Sequence, residues 1–212
     1  VSCGLGDGVE PNLSDVLGGA QVGALGIEKV TKRINDNLDL APSNLSMAGT
    51  ELGLHARMTG RERVLLRVLE DVLKQYDLVM IDCPPSLSLL TVNALIASDA
   101  VLIPAQPMPV DVAGVKLFLE TVNAIREDHE GLSILGILPT FYDDRLNAHK
   151  GAIEAMEGAN WPVLPVRIGR SVRVGESAGL GESIVTFEPG NPQAEAYREL
   201  GRLVKIWLEK TK

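Results

Sequence analysis

The fold of this chain is decided by one stretch, Tyr76-Asp77-Leu78-Val79-Met80-Ile81-Asp82-Cys83-Pro84-Pro85. The continuous apolar run at residues 78–81 is typical of a strand that is buried on both faces of a parallel sheet. The strand is predicted to end at Asp82, which places a carboxylate at the carboxyl edge of the sheet, where doubly wound folds bind ligands. By spacing alone, the same run also fits an ordinary strand that ends in a capping aspartate.

Helical and strand patterns alternate along the rest of the chain. This alternation predicts an α/β fold with a mostly parallel sheet and helices on both faces. No internal repeat or linker divides the sequence, so residues 1–212 are predicted to form a single domain. Helices are predicted near Leu13–Leu17, at 61–76, 89–97, 112–126 and 148–156, and from Asn191-Pro192 onward, and further strands at 100–103, 134–138, 163–166 and 184–187.

The composition excludes several classes of protein. The chain has 212 residues, of which 45% are hydrophobic, and a formal net charge of −8. The two cysteines, Cys3 and Cys83, do not make a disulfide framework, and neither a secretory signal nor a membrane-spanning run is visible. These features predict a cytoplasmic protein. The acidic balance argues against a broadly basic protein that coats nucleic acid, so any contact with DNA must come from a local patch.

Further motifs follow the opening stretch in a fixed order. The most informative are Leu90-Thr91-Val92-Asn93-Ala94-Leu95, Tyr142-Asp143-Asp144-Arg145, Arg170-Ser171-Val172-Arg173 and Glu188-Pro189-Gly190. Together with Asp82-Cys83-Pro84-Pro85-Ser86, they resemble the ParA/Soj family of chromosome and plasmid partitioning ATPases, which is related to MinD. The resemblance runs from about residue 4 to the end and implies a P-loop NTPase-like fold of the deviant Walker A class.

The resemblance also implies a function. Proteins of this family bind ATP and magnesium between the two subunits of a homodimer, and the ATP-bound dimer binds DNA without sequence preference. A ParB-like partner protein stimulates hydrolysis. A member of this family would lie in the cytoplasm in association with the nucleoid and would have no stable association with membranes.

Carried over motif by motif, the resemblance implies roles for five residues, and spacing adds further arginine candidates. The family usually has Pro-Arg-Asn where this chain has Gly169-Arg170-Ser171, and a serine hydroxyl lacks the paired amide of asparagine. Recognition of adenine is therefore in question. By spacing alone, arginines in this loop also fit solvated side chains or partners of nearby acids. The implied roles are a magnesium ligand through water for Asp82, nucleotide contacts for Asp82, Pro84, Gly169 and Ser171, and a DNA contact for Arg170. By spacing, Arg167, Arg170 and Arg173 also fit a basic edge for DNA phosphates, and Arg145 is a further candidate for the same surface.

The phosphate-binding loop of the family is not found in this sequence. No Gly-Lys-Ser/Thr occurs, and Gly4-Leu5-Gly6-Asp7-Gly8 has no lysine and follows no strand. The first strand, the loop and the second strand of the family are therefore expected to be missing, either by truncation or by rearrangement, together with the family's catalytic aspartate. We expect no ATP hydrolysis by this polypeptide alone, which leaves its status as an enzyme open.

Three other readings remain. The chain could be a non-enzymatic ParA-like interaction module, a MinD-like ATPase that cycles on membranes, or a metabolic member of the same fold. The apolar face of the last helix, from Tyr197 to Leu208, fits core packing or a membrane-surface helix. The three histidines, His55, His129 and His149, are predicted to lie on the surface, and Cys83 is predicted to be a small buried thiol.

Overall fold

The structure is a computed structural model that describes residues 9–18 and 25–211. The glycine-rich stretch at residues 4–8 and Cys3 lie outside the described residues. The chain divides into two compact units, the first ending at Asp99 and the second beginning at Ala100. The single domain predicted for residues 1–212 stays a prediction.

The first unit is mainly helical. Its helices pack around a core in which Val16, Val30 and Val64 are completely buried. The predicted helix near residues 13–17 is confirmed, as is the helix at 89–97. The elements are α1 (Leu13–Gly18), the antiparallel hairpin β1 (Lys32–Asn35) and β2 (Leu38–Leu40), α2 (Met47–His55), α3 (Val64–Leu69) and α4 (Leu89–Ile96), with 3-10 turns at Ile27–Lys29, Arg61–Arg63 and Leu73–Gln75.

The predicted helix at 61–76 is present in three pieces, a 3-10 turn, α3 and a second 3-10 turn. The apolar face that the 3.6-residue period predicts is buried through Val72, while Leu73 is 39% exposed. The first piece begins at Gly60, whose φ of 63° lies in the left-handed region that glycine adopts without a steric penalty.

The predicted strand at residues 78–81 is wrong for this structure. The segment has no regular secondary structure, and Leu78, Val79 and Met80 are exposed, Met80 by 79%. A buried strand requires neighbours that accept and donate its backbone hydrogen bonds, and within the described residues no strand pairs with this segment. The side chains of Leu78, Val79 and Met80 therefore lie at the surface of the first unit, while Ile81 is half-buried against its core.

The second unit is built on two parallel strands. β3 (Ala100–Ala105) pairs in parallel with β4 (Ser133–Pro139), and β3 continues through Pro104, where the sequence pattern predicted its end. One face, with Ile103 and Ile137, is covered by two helices, and the other, with Leu138, is covered by the last helix. The prediction of helices on both faces is confirmed. The helices are α5 (Pro109–Asp128), α6 (Asn147–Gly158), α7 (Val172–Gly179), α8 (Ile184–Phe187) and α9 (Pro192–Thr211).

A third extended segment, residues 162–169, runs alongside β4. The backbone N–H of Ile137 donates to the carbonyl of Pro162 (2.8 Å), and the N–H of Leu164 donates to the carbonyl of Ile137 (2.8 Å). The predicted strand at 163–166 is therefore in place, but as isolated parallel bridges rather than a continuous ladder. Gly136 lies under this segment with a φ of 154°.

The predicted strand at 184–187 is wrong, because these residues form the short helix α8. Ser183 caps this helix, since its hydroxyl accepts a hydrogen bond from the backbone N–H of Thr186 (3.2 Å). The predicted start of α9 is confirmed: the Asn191 side chain accepts from the N–H of Gln193 (2.9 Å), and Pro192 is the first helical residue. No helix within residues 9–18 and 25–211 is long and apolar enough to cross a membrane.

Candidate functional site

The residues implied in function lie in both compact units. Asp82 and Pro84 follow the exposed aliphatic segment in the first unit. The remaining five lie in the second unit, after β4 or at the end of its extended neighbour: Arg145, Gly169, Arg170 and Ser171, and Arg173 in the first turn of α7.

The loop after Asp82 is fixed where it joins α4. Ser86 donates its backbone N–H to the carbonyl of Pro84 (2.7 Å), and its own carbonyl accepts from the Thr91 hydroxyl (2.6 Å). Ser88 then caps α4 by accepting from the N–H of Leu90 (3.3 Å). This half of the loop is therefore held in one conformation on α4.

Asp82 itself is exposed, and within the described residues its carboxylate has no hydrogen bond or ion pair. Magnesium is usually held by one or two carboxylates together with waters and substrate phosphates. A single exposed carboxylate is therefore a donor set that fits such an ion beside a nucleotide. Among the described residues, no cluster of three or more acidic, histidine or cysteine side chains could hold a metal by itself.

Cys83 was predicted to be buried and is exposed instead. The error has the same cause as the strand at 78–81, because a thiol next to an unpaired segment has no core to enter. Desolvation by neighbouring atoms, and then the charge of Asp82, raise the pKa of the Cys83 thiol above its ordinary value. A raised pKa lowers the thiolate fraction at neutral pH, which makes the thiol a poor nucleophile.

In the second unit, the loop after β4 and residues 167–171 lie side by side. The backbone N–H of Tyr142 donates to the carbonyl of Ile168 (3.0 Å), and Tyr142 forms a parallel bridge with Gly169. Phe141 precedes this contact with a φ of 51°, an uncommon value for a residue with a side chain. The carboxyl ends of two neighbouring extended segments thus bring the two arginine-bearing motifs together.

Gly169 is held against α9. Its backbone N–H donates to Oε1 of Gln193 (2.6 Å), and a Cβ atom at this position would lie 2.8 Å from Nε2 of Gln193. The glycine therefore lets the Gln193 amide lie against the backbone, and a larger residue at this position would displace that amide. Ser171 has extended backbone at the start of α7, and its hydroxyl does not cap that helix. The Ser171 side chain thus remains available to a ligand, whereas the N–H of Gly169 already has a partner within the chain.

Two of the four candidate DNA-contacting arginines are tied to carboxylates. Arg145 makes a bidentate pair with Asp143, with Nε–Oδ1 and Nη2–Oδ2 distances of 2.9 and 2.7 Å. Hydrogen bonds from the Arg145 side chain and backbone hold the pKa of Asp143 well below its usual range. Arg173 is paired with Glu188 (2.7 Å) and Glu176 (2.5 Å). The positive charge of both arginines is therefore largely neutralised inside the chain.

Arg170 and its neighbour Arg167 have aromatic partners instead. The guanidinium of Arg170 lies 5.8 Å from the ring centroid of Phe141, and that of Arg167 lies 4.7 Å from the ring centroid of Tyr142. Arg167 also donates to the Tyr142 hydroxyl (2.9 Å). Within the described residues, neither guanidinium has a carboxylate partner. Arg167 and Arg170 therefore form a pair of exposed cations whose charge is not compensated.

His149 was predicted to lie on the surface and is buried, with 3% of its area exposed. Its Nδ1 accepts a hydrogen bond from the backbone N–H of Asp143 (3.0 Å), and its ring centroid lies 5.9 Å from that of Tyr142. The histidine thus supports the loop that carries Phe141 and Tyr142. The sequence contains no spacing signal for this role, because the partner is a backbone group six residues away.

Comparisons with known proteins identify the family and the fold of this chain. Residues 4–134 match the family model of an AAA domain. The sporulation initiation inhibitor protein Soj of Bacillus subtilis is 38% identical over 171 residues, which cover 80% of this chain and 67% of Soj. An uncharacterized protein of Mycobacterium tuberculosis is 40% identical over 168 residues, which cover 78% of this chain and 52% of that protein. The chain thus spans about half the length of this relative.

Two solved structures are similar over most of the chain. The crystal structure of cobyrinic acid a,c-diamide synthase from Mycobacterium smegmatis is 30% identical, with a TM-score of 0.81, and the match covers 97% of this chain and 77% of that one. The same protein has been solved with bound ADP and magnesium. The cell division ATPase MinD of Pyrococcus furiosus shares the fold, with a TM-score of 0.72 and 22% sequence identity. The match covers 93% of this chain and 76% of the MinD chain.

The architecture and its neighbours therefore define a P-loop NTPase-like α/β protein with a parallel sheet covered by helices. More narrowly, the chain belongs to the ParA/Soj family of partitioning ATPases. The resemblance seen in the sequence is confirmed at this level.

Proposed function

We propose that this chain is part of a ParA-type DNA-segregation protein that acts as an ATP-dependent homodimer and binds DNA without sequence preference. A ParB-like partner stimulates its ATP hydrolysis. The observation that carries the proposal is the pair Arg167 and Arg170, two exposed guanidiniums with no carboxylate partner among residues 9–18 and 25–211, on a chain whose net charge is −8. A local cationic site of this kind suits contact with phosphates, which is the part of DNA that carries no sequence information.

ATP and magnesium are the proposed cofactors. Asp82 would hold the magnesium ion, usually through a water molecule, and Pro84 would lie beside the nucleotide. Ser171 would contact the adenine through its hydroxyl, which caps no helix in this structure, and Gly169 would contribute its small size rather than its N–H. When bound, magnesium would neutralise charge on the phosphates. The residues of this chain include no phosphate-binding lysine in a Gly-Lys-Ser/Thr context, so that loop would come from a segment upstream.

Binding of ATP and magnesium tests the proposal most directly. Isothermal titration calorimetry on the 212-residue polypeptide would be compared with a polypeptide extended upstream to include a phosphate-binding loop. The proposal expects tight binding by the extended form alone, with loss of magnesium dependence in an Asp82→Asn variant. Tight ATP binding by the short form would mean that another loop holds the phosphates. Absence of binding by both forms would favour a non-enzymatic interaction module.

The DNA affinity of arginine variants distinguishes an arginine that contacts DNA from one that is paired with a carboxylate inside the chain. Arg170→Gln should weaken binding to duplex DNA and should reduce the slope of log K against log salt by about 1, because one phosphate contact is lost. Arg145→Gln is the matched control, because Arg145 is already paired with Asp143. Arg173→Gln should act through the packing of α7 rather than through DNA, since its guanidinium holds Glu188 and Glu176. An equal loss for Arg145 and Arg170 would contradict the proposal.

A second candidate function comes from the Mycobacterium smegmatis structure. If this chain acted like a cobyrinic acid a,c-diamide synthase, cobyrinic acid should raise its melting temperature while duplex DNA should not.

A MinD-like cycle on membranes makes a different prediction. Trp207 and Leu208 near the end of α9 are half-buried rather than fully packed, and in that case the protein should sediment with anionic liposomes in the presence of ATP.

A further inference from the structure

A second concentration of positive charge lies in the first unit. Residues 57–67 carry four arginines, Arg57, Arg61, Arg63 and Arg67, and one carboxylate, Glu62. We call this segment the arginine turn. It begins after α2 and ends in α3. On a chain whose net charge is −8, four cations against one anion in eleven residues form a strongly basic local surface.

Two of the four guanidiniums of the arginine turn, those of Arg61 and Arg67, are held by backbone carbonyls. Arg61 donates from Nη1 to the carbonyl of His55 (3.3 Å), while Arg67 donates to the carbonyls of Gly60 (2.7 Å) and Arg63 (3.3 Å). A neutral carbonyl orients a guanidinium without cancelling its charge. In residues 9–18 and 25–211 no carboxylate forms an ion pair with any arginine of the turn, whereas Arg33 in the same unit is paired with Asp39.

Asn93 in α4 fixes the backbone of the arginine turn. Asn93, which is 2% exposed, accepts hydrogen bonds from the N–H groups of Val64 (2.9 Å) and Leu65 (3.2 Å). Its amide donates to the carbonyl of Arg61 (2.8 Å). Gly60 makes the sharp entry with its left-handed φ of 63°. The charges are therefore presented by a segment whose conformation is set before any ligand arrives, which lowers the entropy cost of binding.

From this geometry we propose that the arginine turn is a second nucleic-acid contact, which binds the phosphate backbone of duplex DNA. The proposal rests on the DNA binding proposed above and adds a surface in the first unit to the arginines of the second. Guanidiniums match phosphate oxygens bidentately. Four of them spaced along eleven residues suit a linear polyanion that offers phosphates at regular intervals. A contact of this kind adds affinity without sequence preference.

The test uses the complete gene product with ATP and magnesium, and fluorescence anisotropy of labelled duplex DNA of arbitrary sequence over a salt series. The variant is Arg57→Gln/Arg63→Gln, because neither guanidinium of this pair donates a hydrogen bond to any residue that the structure describes. We expect affinity at low salt to fall at least about tenfold, and the slope of log K against log salt to become shallower by roughly 1.8, at about 0.9 for each lost phosphate contact.

Two controls make the result specific. Arg33→Gln removes an arginine whose charge is already neutralised by Asp39 and should leave the salt slope unchanged. Arg57→Lys/Arg63→Lys keeps both charges and should keep most of the slope, which separates loss of charge from loss of fold. Circular dichroism of each variant verifies that the helices are retained.

The outcomes distinguish this inference from the proposed function. If the unchanged protein does not bind DNA in any nucleotide state, the proposed function fails and the inference fails with it. If the unchanged protein binds DNA but Arg57→Gln/Arg63→Gln binds with the same slope, only the inference is overturned, and an acidic protein partner becomes the better occupant. A shallower slope for the glutamine variant, together with a retained slope for the lysine variant, supports the proposal.

Discussion

The side-chain oxygen of Asn93 lies 2.9 Å from the backbone nitrogen of Val64, and this hydrogen bond joins the middle of α4 to the start of α3. The same oxygen accepts from the N–H of Leu65, while the amide group donates to the carbonyls of Arg61 and Leu89. The first N–H groups of a helix have no partner within that helix. One buried asparagine therefore supplies, from another helix, the acceptor that a local capping residue would otherwise provide.

Replacement of Asn93 by alanine should destabilise the chain by about 2–3 kcal/mol, because the two buried N–H groups of Val64 and Leu65 lose their acceptor and the partly buried carbonyl of Arg61 loses its donor. Chemical denaturation of the 212-residue polypeptide measures the change. Asn123→Ala, at an exposed position in α5, is the matched control and should change the free energy of unfolding by less than about 0.5 kcal/mol. Equal effects of the two substitutions would show that the link from α4 to α3 contributes nothing.

The close approach at Gly136 gives a second prediction. A Cβ atom there would lie 2.5 Å from Cδ2 of Leu164 and 3.0 Å from the carbonyl oxygen of Pro162, and the φ of 154° is strained for other residues. Gly136→Ala should therefore destabilise the second unit by more than about 2 kcal/mol. Gly151→Ala, inside α6 with open space around the added methyl, should instead stabilise it by about 0.5–1 kcal/mol. Thermal melting of both variants checks the difference in sign.

The strands β3 and β4 were predicted from their apolar runs although their partners are distant in the chain, whereas the correctly predicted helices follow from local signals. α4, α5 and α6 follow from their 3.6-residue periods, and the start of α9 follows from Asn191 and Pro192. The region at 184–187 shows where a sequence pattern fails to predict the secondary structure. Its branched residues favour a strand, but the adjacent Ser183 cap stabilises a helix, and a local hydrogen bond outweighs a weak propensity.

The candidate site shows a different limit. Periodicity and motifs located all the arginines, but which of them are neutralised depends on partners that spacing does not reveal. Arg145 finds Asp143 two residues away, whereas Arg173 finds Glu188 fifteen residues away. Arg170 has an aromatic neighbour on a different loop. Only the packing of the second unit distinguishes the paired cations from the uncompensated ones.

The pair between Arg145 and Asp143 makes a prediction about pH. Its hydrogen bonds lower the pKa of Asp143 below the ordinary 3.8, so the unfolded chain takes up the proton first as pH falls. The pair therefore stabilises the loop above about pH 4 and loses that contribution as pH falls further. Carbon-13 NMR of the Asp143 carboxyl should show a depressed titration that Arg145→Gln returns toward the ordinary value. Arg126→Gln, which alters an arginine bound to Asn123, should leave it unchanged.

The last prediction concerns residues 78–81, whose sequence is typical of a buried strand but which have no regular secondary structure. Three of the four aliphatic side chains, those of Leu78, Val79 and Met80, are exposed to water, and the backbone groups of this segment pair with no strand in the described part of the chain, so the segment is an open edge that another strand could join. If an upstream segment supplies the neighbouring strand, amide hydrogens at 78–81 should exchange rapidly in the 212-residue polypeptide and slowly in the upstream-extended form. Ile137 in β4, which is completely buried, should be protected in both forms. Rapid exchange at 78–81 in both forms would mean that this segment is not a strand in the longer protein either, and Asp82 would then lack the rigid support that a magnesium ligand requires.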